Sequence, residues 1–172
     1  MKTILAFSLF IPLFGLVHGI GVKATGRNEK PQGELESYEY SYSTMARFPH
    51  RYYQVKRDGT GMLCLYFSKD LEEDICVIQA PDDALEHIAG IVREYRMHKL
   101  RGSYRPRMEV LDGYAWHCSL RFSEGHISSG GSNAGAQGKP GAGLHAINSY
   151  ITSLIDASTE EDIIRHESHL DR

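Results

Sequence analysis

The chain lacks a hydrophobic run of membrane-spanning length. Its most apolar stretch, Ile4 to Val17, holds 14 residues with Pro12 inside it, against the roughly 20 that a spanning helix needs. It also lacks a strong charge of either sign: 19 Lys plus Arg stand against 22 Asp plus Glu, a formal net charge of −3. That balance exerts no global pull toward nucleic acid, which is excluded as a partner. Cysteine is scarce and odd in number, so Cys64, Cys76 and Cys118 cannot all pair within one chain. A Cys64–Cys76 bridge stays open as an alternative, because the two fall on neighbouring predicted strands; small buried hydrophobes is the favoured reading of all three.

Several motifs of catalysis are missing too. A phosphate-gripping loop needs a glycine five residues before its Gly-Lys pair and a hydroxyl after it, but Gly138-Lys139 has Asn133 at that distance and Pro140 behind it. A nucleophile elbow needs Gly-x-Ser-x-Gly, and Ser132 has Gly130 before it but Ala134 after it. HExxH is absent, and His166 with His169 on the tail offers two ligands without a third. No catalytic set, metal or cofactor is therefore assigned.

What is present begins with an export signal. Lys2, the apolar run and the small residues that end at Gly19 have the layout of a secretory signal peptide, so residues 1–19 are read as removed, with a second possible cut after Ala24. No transmembrane segment then remains, and the expected location is periplasmic, cell-envelope or extracellular. Residues 20–33, polar and without periodicity, read as a disordered lead. Residues 34–155 read as a single α+β domain, and 156–172 as an acidic C-terminal tail, frayed or loosely attached despite a possible capping box of Ser158 and Glu161.

Within the domain, Tyr38, Tyr40 and Tyr42 alternate with Glu39, Ser41 and Ser43, the period of a strand with one covered face. RYYQVKR and MLCLYFS flank Asp58-Gly59-Thr60-Gly61 as a hairpin, and EDICVIQ adds a fourth strand. Leu85, Ile88, Ala89, Val92 and Tyr95 predict a helix over 82–99. MEVL and YAWHCSLRF, joined at Asp112-Gly113, form a second hairpin; HISS follows as a short strand, and Leu144, Ile147, Ile151, Leu154 and Ile155 mark a second helix. The order ββββα-βββα predicts a mainly antiparallel sheet with two helices packed on one face. That face carries the tyrosines, which makes them core rather than an open aromatic platform.

Two segments are candidate sites. Arg96, Lys99, Arg101, Tyr104, Arg105 and Arg107 form a strongly basic run with interleaved aromatics, suited to an anionic ligand. The glycine-rich stretch from Ser128 to Leu144 reads as a mobile strand-to-helix crossover, with Ser129, Gly130, Gly131 and Asn133 a possible ligand rim.

The segments YEYSYSTM, PDDALEHIAGIVREY, VLDGYAWHCSLRFSEG and ISSGGSNA resemble a group of small exported bacterial proteins of unassigned function, over about residues 35–155. The resemblance implies a single domain in the envelope or outside the cell and carries no activity or site residues. The leading expectation is a non-enzymatic binding or accessory domain whose partner is an envelope glycan, an anionic lipid or another exported protein. Two alternatives stand beside it. One is a small secreted hydrolase using His117 or His126 with Asp112 and the loop serines; the other is a self-associating structural protein of the envelope.

Overall fold

A computed structural model describes residues 21–44, 51–68, 74–108, 110 and 113–168. The expected signal peptide, and Asp112 and His169 with it, lie outside the described residues. The rest forms a mixed α+β fold: one nine-stranded, mostly antiparallel sheet and two α-helices. Among the described residues no helix is long and apolar enough to cross a membrane.

The strands are β1 (Val22–Thr25), β2 (Gln32–Thr44), β3 (Arg51–Arg57), β4 (Leu63–Ser68), β5 (Ile75–Gln79), β6 (Ser103–Pro106), β7 (Tyr114–Glu124), β8 (His126–Ser132) and β9 (Ile163–Glu167). Helix α1 spans Ala84–Glu94 and α2 spans Gly138–Ala157. Across the sheet the order is β1-β6-β8-β7-β2-β3-β4-β5-β9, with β6 and β8 parallel. Alternation in β2 sets which residues face the helices. Tyr38 lies opposite Val55 on one side and Leu120 on the other, and all three are fully buried. Ile88 and Val92 of α1 and Leu144, Ile147, Ile151 and Ile155 of α2 close over the same core. Each such fully buried aliphatic side chain contributes about 1.5–3 kcal/mol.

Four expectations need correction. First, the sheet has nine strands in a different order. Of MEVL, Glu109 and Leu111 lie outside the described residues and Met108 and Val110 are not in a strand; β6 lies earlier, at Ser103–Pro106, and runs parallel to β8. The helices also differ in their partners: α1 lies on β2 and β3, whereas α2 packs mainly on α1 and on the 3-10 turn Met97–Lys99. Second, the lead read as disordered contains β1, which pairs with β6 and packs Val22 against the core. The unpaired edge of β6 supplies backbone partners that a polar sequence accepts as readily as an apolar one. Third, the tail read as frayed contains a 3-10 turn capped by Thr159 and Asp162, and then β9, antiparallel to β5. Fourth, the predicted helix 82–99 stops at Glu94, because Arg96 leaves it in the left-handed region at φ 54°.

Cys64 and Cys76 are not bridged. Cys64 pairs in register with Gln79, whereas Cys76 pairs with Phe67, three residues away on β4. An odd offset puts the two thiols on opposite faces of the sheet. No disulfide joins any of the three cysteines.

Candidate functional site

The glycine-rich stretch is largely regular structure. Ser128–Ser132 belongs to β8 and Gly138–Leu144 to α2, which leaves a connection of only 133–137. Its supposed rim is committed to holding the fold. Ser129, fully buried, donates its hydroxyl to the Arg101 carbonyl at 2.7 Å. Asn133, at φ 52°, accepts from the Tyr114 amide through Oδ1 at 2.8 Å while its own amide donates to the Tyr114 carbonyl at 2.8 Å. Gly131 leaves room for the Trp116 indole, whose Nε1–H donates to the Ala134 carbonyl at 2.7 Å; a Cβ at Gly131 would overlap both groups. Gly130 donates its amide to the Gly102 carbonyl at 3.1 Å. The Ser129 and Asn133 side chains thus serve the joint between β7, β8 and the chain at 101–102.

The basic run divides. Arg96, Lys99 and Arg101 surround the turn that follows α1, where Met97 and Leu100, both fully buried, anchor the backbone on either side. Arg96 holds a conformation that costs a non-glycine residue about 1–2 kcal/mol, so those two anchors over-determine its position. Arg101 is pinned by main-chain bonds, its amide donating to the Tyr104 hydroxyl at 3.0 Å and its carbonyl accepting from Ser129. Tyr104 itself is buried and tilted against Trp116, so it supports the turn and offers no stacking face. Arg105 and Arg107 continue along and beyond β6, where Lys23 and Gly21 are their neighbours at the sheet edge. Neither Arg105 nor Arg107 lines the cleft that Lys99 and Arg101 border.

The predicted lead completes the cluster. Asn28 donates its amide to the Leu100 carbonyl at 2.9 Å and accepts the Ser128 amide at 3.0 Å, which stitches the lead across the turn and β8. Arg27 thereby joins His98, Lys99 and Arg101 around a cleft of about 300 Å³. Burial, and then the charges of Lys99, Lys30 and Arg96, push the His98 imidazole below its ordinary value. Among the described residues, no ion pair neutralises Arg27, Lys30, Arg96, Lys99 or Arg101. Sequence reasoning missed Arg27, Asn28 and Lys30; in the stretch RNEK, with Glu29 between them, no local pattern marked them as a site.

Of the elements of a hydrolase, His117 and one loop serine come together among the described residues. His117 Nε2 and Ser128 Oγ lie 3.2 Å apart on the sheet face away from the helices, where His117 is exposed and Ser128 half-buried. A serine made nucleophilic by histidine also needs an orienting carboxylate and an oxyanion site. His126 sits opposite Arg121 at the far end of the hairpin, and Asp112 lies outside the described residues. Cys118 is closed as a nucleophile, since burial pushes its thiol up to about 12. No protein-family model matches the chain, and no curated protein is significantly similar to it in sequence.

Proposed function

We propose that this protein is an exported, non-enzymatic binding domain that holds an anionic group in the cleft between residues 27–30 and Lys99–Arg101. The observation that carries this reading is the meeting of Arg27, Lys99 and Arg101 around one cleft, with Lys30 and Arg96 close enough to act on His98 and no ion pair neutralising any of them among the described residues. Like charges gathered on a chain that is net acidic repel one another, and a bound phosphate, sulfate or carboxylate relieves that repulsion. Because main-chain hydrogen bonds already fix Leu100, Arg101 and Asn28, little ordering cost remains for binding. The signal-like leader and the resemblance to small exported bacterial proteins favour a sulfated or phosphorylated envelope glycan or an anionic lipid headgroup as the source of that group.

The test compares retention on sulfated glycan arrays and on phosphatidylglycerol vesicles, each at low and high salt. Replacing Arg27, Lys99 and Arg101 together by Gln is expected to weaken retention by about 100-fold, the loss of two or three charge-assisted contacts. Replacing Arg105 and Arg107 leaves it within about three-fold, since both lie outside the cleft. Glycan or vesicle retention tells the two sources apart. Absence of retention on both, or retention indifferent to the triple variant, removes the proposal.

A further inference from the structure

A second concavity lies elsewhere in the molecule. Between β2, β3 and α2 runs a groove of about 630 Å³, floored by Tyr40, Tyr42 and Tyr53 and walled by polar residues of α2, among them Asn148 and Thr152. Its volume falls within the range of about 300–1,000 Å³ typical of small-molecule sites. The sheet alternation that buries Tyr38 also aligns Tyr40 and Tyr42 beside it, but the helix covers them only in part. Their rings are held in place: Tyr40 stacks with Tyr53 at 6.1 Å between centroids, and Tyr42 with Tyr114 at 5.6 Å. Rigid, partly open aromatic rings give contact area at small cost in side-chain entropy.

The polar wall is oriented as well. Tyr38, fully buried, donates its hydroxyl to Asn148 Oδ1 at 2.6 Å. With that oxygen engaged from beneath, the Asn148 amide has its N–H donors to offer the groove. Burial, reinforced by neighbouring Cys118 and tyrosine hydroxyls, pushes Tyr40 up to about 12, so its phenol stays a neutral donor at physiological pH. Arg51 at one margin and Asp156 at another balance each other, and the groove carries no excess of either sign. This chemistry matches a pyranose: C–H groups on the ring face lie against an aromatic ring, while hydroxyls around the rim exchange hydrogen bonds with amide, phenol and alcohol groups.

We propose that this groove binds an uncharged saccharide, stacked on Tyr40 and Tyr42 and hydrogen-bonded through Asn148 and Thr152. It shares no lining residue with the basic cleft and does not depend on the reading of that cleft. The experiment is calorimetric titration of the purified protein with neutral cello-, chito-, malto-, xylo- and manno-oligosaccharides. At least one series is expected to bind. Tyr42→Ala and Asn148→Asp should each weaken it by about ten-fold or more, the second because it keeps an acceptor for Tyr38 but removes the donors. Tyr42→Phe keeps the stacking ring and should stay within about three-fold of the parent, which guards against a trivial loss of folding. Lys99→Gln with Arg101→Gln should change nothing. The proposal is overturned if no series binds, if binding survives both groove variants, or if only the Lys99 and Arg101 replacements abolish it.

Discussion

Gly90 and Gly143 both lie inside helices, yet alanine should act on them in opposite directions. A Cβ at Gly90 meets nothing within 4 Å, so Gly90→Ala gains only the helix propensity difference, about 1 kcal/mol of stabilisation. At Gly143 the same Cβ would lie 2.6 Å from Tyr95 Cβ and 3.0 Å from Met97 Cγ, where α2 presses on the turn after α1. Overpacking costs about 1–3 kcal/mol and offsets or exceeds the propensity gain, so Gly143→Ala should lower stability by up to about 2 kcal/mol net. Chemical denaturation of the two variants checks the sign of each. The outcome bears on the site, because Gly143 lets α2 seat against the turn that presents Arg96 and Lys99. Glycine richness in this stretch thus reflects close packing at Gly131, Gly141 and Gly143 more than freedom of the backbone.

Among the elements, those with a repeating side-chain pattern were legible and those defined by partner choice were not. β3 matches RYYQVKR residue for residue, and the helical stripes of α1 and α2 follow their apolar spacing. β1, β6 and β9 are short and lack a repeating apolar pattern; β1 and β9 form at the two edges of the sheet and β6 between β1 and β8, a long-range condition that no local pattern records. The candidate sites divide the same way. Lys99 and Arg101 stood out as neighbouring cations, whereas Arg27 reaches the cleft only through the Asn28 bonds to distant carbonyl and amide groups. Period-two alternation identified the tyrosine face, but where α2 would stop covering it depends on how the helices pack.

β9 illustrates how such an element is held. Arg165 reaches from it to the Glu167 carboxylate at 3.0 Å, the Tyr66 hydroxyl at 3.0 Å and Asp58 at 3.4 Å, and its guanidinium lies over the Tyr66 ring. Asp58 is held down to about 2, chiefly by the Thr60 hydroxyl and amide and in smaller part by Met62 and Arg165. A carboxylate depressed on folding stabilises above its unfolded value near 3.8 and loses that contribution as pH falls toward about 2. Docking of the tail and closure of the β3–β4 turn should therefore weaken together between about pH 4 and 2 and stay constant from about pH 5 to 8. Hydrogen exchange at the amides of 163–167 and of Thr60 and Met62 measures both; an acid response confined to β9 would assign the depression to Arg165 instead.

At the scale of the whole molecule, the sheet separates two cores, and its three thiols sample them differently. Cys118 belongs to the large core beneath the helices, while Cys64 joins Tyr66, Ile75 and Val77 in a small cluster on the opposite face. Cys76 lies near the edge, half-buried, with its sulfur 3.8 Å from His166 Nδ1 on β9. Thiol labelling requires both access and thiolate, and burial raises Cys64 and Cys118 above the ordinary thiol value. Cys76 should then react first. Cys64 should follow when β9 lifts and Arg165 uncovers Tyr66, a partial opening that costs less than global unfolding. Cys118 has no such route, so its labelling should depend on denaturant as global unfolding does. Arg165→Ala separates the two routes, because it should accelerate Cys64 while leaving Cys118 unchanged. A common rate for all three thiols would mean that β9 and the small cluster unfold only with the main core, making the nine-stranded sheet a single cooperative unit.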